Sequence, residues 1–218
     1  MEVRVENVTK KLKSTEVLKN VNLTLASGKV YGFIGKNGSG KTMLLRSIAG
    51  LLRPTTGKVY VDGRDIYSMK GILPDIGIII ENVGVYPEFT GFKNLKMLAK
   101  IKNKIKDSDI EQAILRVGLD PKDKRIVKKY SLGMKQKIVI AQAIMEKPDI
   151  LVLDEPTNAL DDSGIELFRQ IIREEKKRGA VILIASHNKE DIAVLCDDIY
   201  QIKGGQISKQ TERGEEAC

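Results

Sequence analysis

The chain has 218 residues, 42% of them hydrophobic and 30% charged, enough apolar content for one substantial core and too little length for several independent domains. Its net charge of +8 comes from scattered lysines with a local excess over 93–106 and 122–137, which fits a solvated surface or an attraction to anionic lipid headgroups. With 5% aromatic residues and no tryptophan, no basic stretch carries the interleaved rings of a single-strand binder, and no nucleic-acid partner is expected.

No apolar run approaches the roughly 20 residues that cross a bilayer, and residues 1–7 lack the pattern of a secretion signal. Cys196 and Cys218 make no disulfide framework, so a cytoplasmic location is expected.

In chain order, Val3, Val5 and Val8, then Val17, Val21, Leu23 and Leu25, recur at the mostly even spacing of antiparallel strands, closed by a Ser27-Gly28 turn. Residues 30–34 form a short apolar strand that runs into a glycine-rich segment, and 43–52 has the apolar density of a buried helix. Further strands are predicted at 57–62 and 76–80, the second so uniformly branched that burial on both faces is expected. From Asn94 the pattern turns helical and lysine-rich, broken near 118–121, which predicts a helical subdomain over about 83–147 inserted into an α/β core. Residues 150–153, 181–185 and 199–202 are apolar strands separated by helical stretches, the mark of βαβ units and a parallel sheet. Past Gly205 the chain turns polar, so 1–208 reads as the folded domain and 209–218 as a flexible tail.

The segment Gly35-Lys36-Asn37-Gly38-Ser39-Gly40-Lys41-Thr42 lies between a strand and a helix. Its glycines allow consecutive backbone N–H groups to turn inward on phosphates, and the helix start adds its positive dipole end. Lys41 is suited to neutralise β and γ oxygens and Thr42 to ligate Mg²⁺. By itself this pattern establishes only nucleoside triphosphate binding.

Asp154 and Glu155 close the strand at 150–153, at the end of an α/β sheet where ligands bind. Asp154 is suited to hold Mg²⁺ through water, and Glu155 to orient and deprotonate an attacking water.

Tyr130-Ser131-Leu132-Gly133-Met134, followed by Lys135-Gln136-Lys137 and a helix leading to the Asp154-Glu155 strand, resembles the signature of the ATP-binding cassette ATPases. The likeness runs from about Val3 to Ile207. It implies a P-loop NTPase core of class α/β with a mixed parallel sheet, an N-terminal antiparallel β-subdomain and an inserted helical subdomain. It also implies that Ser131 and Gly133 close over ATP held by a second subunit. A capped helix start with close backbone approach suits that contact with an anion.

Asn158-Ala159-Leu160-Asp161 matches the family loop that crosses the dimer interface, and His187, the only histidine, matches the switch histidine at the γ-phosphate. The resemblance thus implies an ATPase using ATP and Mg²⁺, with Glu155, His187 and Lys41 as catalytic groups. Partners implied are a transmembrane permease subunit and a second ATP-binding domain, identical or homologous, with the assembly peripheral on the cytoplasmic face of the membrane.

Three positions depart from the commonest spelling of the family. Leu12 stands where an aromatic residue stacks on adenine, which forfeits about 0.5–1.5 kcal/mol and loosens the choice between ATP and GTP. Glu81 stands where a glutamine couples Mg²⁺ to the transporter, and its carboxylate can still ligate the metal. Leu132 and Met134 replace the first glycine and the glutamine of the signature, a variant that resembles exporters of antimicrobial peptides, lantibiotics, bacitracin-like drugs or multidrug substrates.

The alternative is a cassette ATPase of translation or DNA repair. Those members carry two cassettes on a chain, long coiled coils or zinc-binding insertions, none of which this sequence has. A regulatory module without hydrolysis is opposed by the presence of Lys41, Asp154, Glu155 and His187.

Overall fold

The computed structural model describes residues 1–68, 74–80, 84–187 and 189–210. In chain order the elements are β1 (Glu2–Leu12), β2 (Thr15–Ala26), β3 (Lys29–Ile34), α1 (Lys41–Ile48), β4 (Thr56–Val61), β5 (Arg64–Asp65), β6 (Ile76–Ile79), α2 (Gly91–Lys102), α3 (Asp107–Arg116), a 3-10 turn (Val127–Lys129), α4 (Leu132–Ile144), β7 (Ile150–Asp154), α5 (Asp162–Arg178), β8 (Val181–Ala185), α6 (Lys189–Leu195), β9 (Asp198–Lys203) and β10 (Gln206–Gln210).

The first sheet is antiparallel, in the order β2-β1-β4-β5. Its alternation buries Val3, Val5 and Val8 against Leu18, Val21, Leu23 and Leu25. The even spacing fails where the pairing shifts between Val5 and Val8, and Asn7 and Asn20 have φ of 50° and 47°, a conformation that asparagine tolerates well.

The second sheet runs β10-β9-β3-β8-β7-β6, with β9, β3, β8, β7 and β6 mutually parallel and β10 antiparallel at one edge. Every residue of β7 and β8 is buried because both faces are covered. Ile150, Val152, Val181 and Leu183 join the core shared with the first sheet and α1, while Leu151, Leu153, Ile182 and Ile184 join the core under α2 to α6.

Two expectations are corrected here. β6 pairs with β7 alone among the described residues and sits at the sheet edge, leaving Ile76 and Ile78 half-buried rather than enclosed on both faces. A branched run suits a one-sided edge strand as well as an enclosed one, so composition could not separate them. Lys209 and Gln210, expected in the tail, are the end of β10, paired with Tyr200 and Ile199 of β9. That strand is polar because its side chains face solvent, and Lys209 also pairs with Asp198. Residues 211–218 of the expected tail lie outside the described residues.

Helices α2, α3 and α4 follow β6 and pack on one another through Leu95, Ala99, Ile110, Ile114 and Ile138. Thr90 starts α2 by accepting the Lys93 N–H at 3.2 Å, and Asn103 ends it with φ of 50°. Arg116 of α3 reaches Glu174 and the buried Glu175 of α5, each at 2.8 Å, and so ties this helical layer to α5. No helix among the described residues is long and apolar enough to cross a membrane.

Candidate nucleotide and catalytic site

β3, β8 and β7 stay in register to their ends, with Phe33 opposite Ala185 and Ala185 opposite Asp154. The loops that leave these three parallel strands therefore open along one edge of the sheet.

After β3 the chain turns into α1 through Gly38 and Gly40, whose φ angles are 76° and 113°. A Cβ at Gly40 would stand 2.6 Å from the Val17 carbonyl oxygen, so only glycine fits. Behind this loop, the Gly205 N–H donates to the Ser39 carbonyl at 3.0 Å, and the Gly205 carbonyl accepts the Lys19 N–H at 2.8 Å. The loop is thus wedged between β2 and the β9–β10 turn. No side chain caps α1, which leaves its first-turn N–H groups to an anion. Ser39 Oγ is likewise buried with no partner among the described residues. Lys41 is 7% exposed, and its ammonium donates to the Gly35 carbonyl at 2.7 Å.

Thr42 Oγ1 donates to Asp154 Oδ2 at 2.5 Å, joining the phosphate loop to the end of β7. A hydroxyl and a carboxylate side by side are hard oxygen donors, and with nucleotide phosphates and water they make the donor set Mg²⁺ prefers. The two residues therefore fit a cation shared with nucleotide phosphates and water. Glu81, the third expected ligand, lies outside the described residues.

Glu155 has a φ of 49°, in the left-handed region that a long side chain avoids, and its N–H donates to the Ala185 carbonyl at 2.8 Å. Its Oε2 lies 2.8 Å from His187 Nδ1 and also accepts the His187 N–H and the Ser186 hydroxyl, each at 3.4 Å. Next along, the Pro156 carbonyl accepts Gln136 Nε2 of α4 at 2.7 Å.

A cleft of about 630 Å³ runs from Leu12 and Val17, past Asn37 to Met43, to Asp154 and Glu155. Gln136, Asn158 and Ile79 complete its wall. Asn158 is expected from the sequence only as part of the loop crossing the dimer interface, and Gln136, Ile79, Val17 and Met43 are not among the expected site residues. Gln136 and Asn158 lie within the quoted signature and interface-loop segments, so their neighbours pointed to them; nothing local marked Val17 or Ile79.

Ser131, Gly133 and Asp161 are not in this cleft. Ser131 Oγ caps α4 by accepting the Met134 N–H at 3.2 Å, and Asp161 caps α5 by accepting the Gly164 N–H at 2.8 Å and the Ser163 hydroxyl at 3.1 Å. Those bonds, the Gly164 N–H first, hold the Asp161 carboxyl below its ordinary range. A Cβ at Gly133 would stand 2.9 Å from the Ala159 carbonyl oxygen, so the start of α4 rests on the 158–161 loop. Both caps are exposed, and Leu132 beside Ser131 is 71% exposed.

A family model described as ABC transporter matches residues 18–158. The chain belongs to the ABC transporter family. It is 49% identical to the ABC transporter ATP-binding protein YybJ of Bacillus subtilis (strain 168), over 94% of each chain. It is 37% identical to the bacitracin transport ATP-binding protein BcrA of Bacillus licheniformis, over 95% of this chain and 69% of that one. The solved dimeric cassette MJ0796, in a post-hydrolysis state bound to ADP and Pi, superposes with a TM-score of 0.87 at 25% identity, over 97% of this chain and 99% of that one. This ABC cassette is therefore an ATP-binding, ATP-hydrolysing transporter subunit of a family whose members pair with a membrane permease, and its α/β architecture is that of the dimeric cassette.

Proposed function

We propose that two copies of this cassette, or one copy and a homologue, bind ATP between the phosphate loop of one and the Ser131–Gly133 segment of the other. Hydrolysis there drives export of a drug or peptide through a separate permease at the cytoplasmic face of the membrane. The observation that carries this reading is the convergence of Lys41, the Thr42–Asp154 pair and the Glu155–His187 pair on one sheet edge.

In this reading the loop N–H groups and Lys41 bind the β- and γ-phosphates. Thr42 and Asp154 would hold Mg²⁺, which when bound neutralises phosphate charge. Glu155 takes a proton from water as the water oxygen attacks the γ-phosphorus, and ADP leaves with the electrons of the broken P–O bond. His187, held by Glu155 through Nδ1, steers that carboxylate and the γ-phosphate. Leu12 and Val17 give the base an apolar wall without an aromatic ring, which supports a loose choice between ATP and GTP.

The exposed Ser131 cap and Leu132, which do not line the chain's own cleft, support a second subunit as their partner. The Leu132 and Met134 spelling and the likeness to the bacitracin transport protein favour a peptide antibiotic as cargo.

The test is ATP turnover with Mg²⁺ at rising protein concentration, beside Glu155→Gln. Activity per molecule that climbs with concentration, and an ATP-locked dimer of the variant, is the expected result. Turnover independent of concentration, with a monomeric and active variant, overturns the composite site.

A further inference from the structure

Glu155 and His187 lie on two different loops, and a contact of 2.8 Å between them requires both loops to be held in one register. The first of these loops also meets α6, the helix that follows the second. Thr157, two residues after Glu155, donates its hydroxyl to Asp191 Oδ2 at 2.9 Å, and Asp191 sits on α6, four residues after His187. The other oxygen, Asp191 Oδ1, accepts both Arg169 Nε at 3.2 Å and Nη2 at 2.8 Å, two charge-assisted bonds on one atom. Arg169 belongs to α5, the helix that leaves the Glu155 loop, and its guanidinium also reaches Glu190 at 3.3 Å and Glu166 at 3.8 Å.

We propose that Asp191 is a positioning residue for hydrolysis, bracing the loop after β7 against α6 and α5 so that Glu155 and His187 stay paired. The proposal rests on the reading that those two residues carry out hydrolysis. Asp191 itself is 2% exposed and Thr157 9%, and neither lines the nucleotide cleft, so both act through Glu155 and His187 rather than on substrate. An apolar group could fill such a place at no lower stability, because burying an ion pair costs much of what its attraction returns. Direction is what the carboxylate adds: from α6, just after His187, one oxygen holds Thr157 of the Glu155 loop and the other holds Arg169 of α5, so a shift of the Glu155 loop against α6 breaks a bond. The left-handed φ of Glu155 gives that constraint something to hold.

The experiment compares full-length Asp191→Asn, Thr157→Val, Thr157→Ser and the Thr157→Val/Asp191→Asn pair, with Glu155→Gln in parallel. Each is measured for kcat and KM of ATP, binding of a fluorescent ATP analogue, and melting temperature. Misplacement of about 1 Å at a reacting group costs up to about a hundredfold, so Thr157→Val and Asp191→Asn are expected to lose about tenfold or more in kcat while KM moves less than about twofold. Thr157→Ser, which keeps the hydroxyl, is expected within about threefold of the parent, and the double variant to fall no further than the worse single one. A lower melting temperature with parental kcat per folded molecule would make the brace merely structural and overturn the proposal. If Asp191→Asn does not fold, the contrast between Thr157→Val and Thr157→Ser decides alone. A Glu155→Gln variant that keeps turnover removes the hydrolytic reading itself, whereas an inactive Glu155→Gln beside fully active brace variants sinks only the brace.

Discussion

The loop after β3 and the loop after β7 both leave a parallel strand at the same edge, and both bend through the left-handed region. In the first, the residues with positive φ are Gly38 and Gly40; in the second they are Glu155 and Ala159. Glycine adopts that conformation without steric cost, so the phosphate loop carries its shape in its own letters. Glu155 holds it at an expense of order 1–3 kcal/mol, and the bonds that meet the cost come from elsewhere: the Ala185 carbonyl, His187, and Gln136 behind Pro156. The backbone shape of the first loop is thus encoded in its own residues, and that of the second is imposed by the fold. The two halves of the site should therefore fail in different ways.

The largest effect belongs to the local half. Gly40→Ala carries about 1–3 kcal/mol of strain at φ 113° in addition to the clash with the Val17 oxygen. Affinity for a fluorescent ATP analogue should fall on the order of a hundredfold, since each 1.4 kcal/mol is about tenfold. An unchanged affinity would show that the loop is not held by its glycine.

Gln136→Leu probes the imposed half from 20 residues away in sequence. Removing its bond to the Pro156 carbonyl should lower turnover about fivefold, the worth of roughly 1 kcal/mol for one neutral hydrogen bond, and because Gln136 also lines the cleft nucleotide affinity should fall, but by less than turnover. If affinity falls and turnover does not, the division between the two loops is drawn in the wrong place.

Tyr67→Phe acts outside both loops and sharpens the contrast. The Tyr67 hydroxyl lies 2.7 Å from the carbonyls of both Ser47 and Leu52 at the end of α1, and burial pushes its pKa up to about 12. Its loss should cost about 1 kcal/mol and about 2–4 °C in melting temperature, with kcat untouched.

The smallest effect is electrostatic. Lys209 first, then Lys29, hold the Asp198 carboxyl below its ordinary value of 3.8. A depressed folded pKa gives stability that is present above the ordinary value and lost as pH falls through the folded one. Lys209→Met should therefore move the acid-unfolding midpoint upward slightly, read by circular dichroism against pH, with no change in turnover at neutral pH.

The same contrast explains what could be read from the sequence. Residues 35–42 are consecutive, so the phosphate loop was legible in full, and β7 and β8 were legible because enclosed parallel strands are continuously apolar. The role suggested for Glu155 followed from its place at a strand end, but its backbone conformation and its supports did not. Gln136 and Asp191 act on that loop across 20 and 34 residues, a separation that no local pattern records. β10 escaped because an exposed edge strand has no apolar period, and β6 was given too much burial because branched residues mark a strand without saying how many neighbours it has.

Gly205 links Ser39 of the phosphate loop to Lys19 of β2 through its own N–H and carbonyl, so the last strand pair is mechanically part of the nucleotide loop. For protein engineering this makes the end of the fold a sensor. A dye on the solvent face of β10 should register nucleotide loading from outside the cleft, and a deletion that begins at Gly204 should take away the loop's backbone partner while leaving every phosphate-binding residue in the chain.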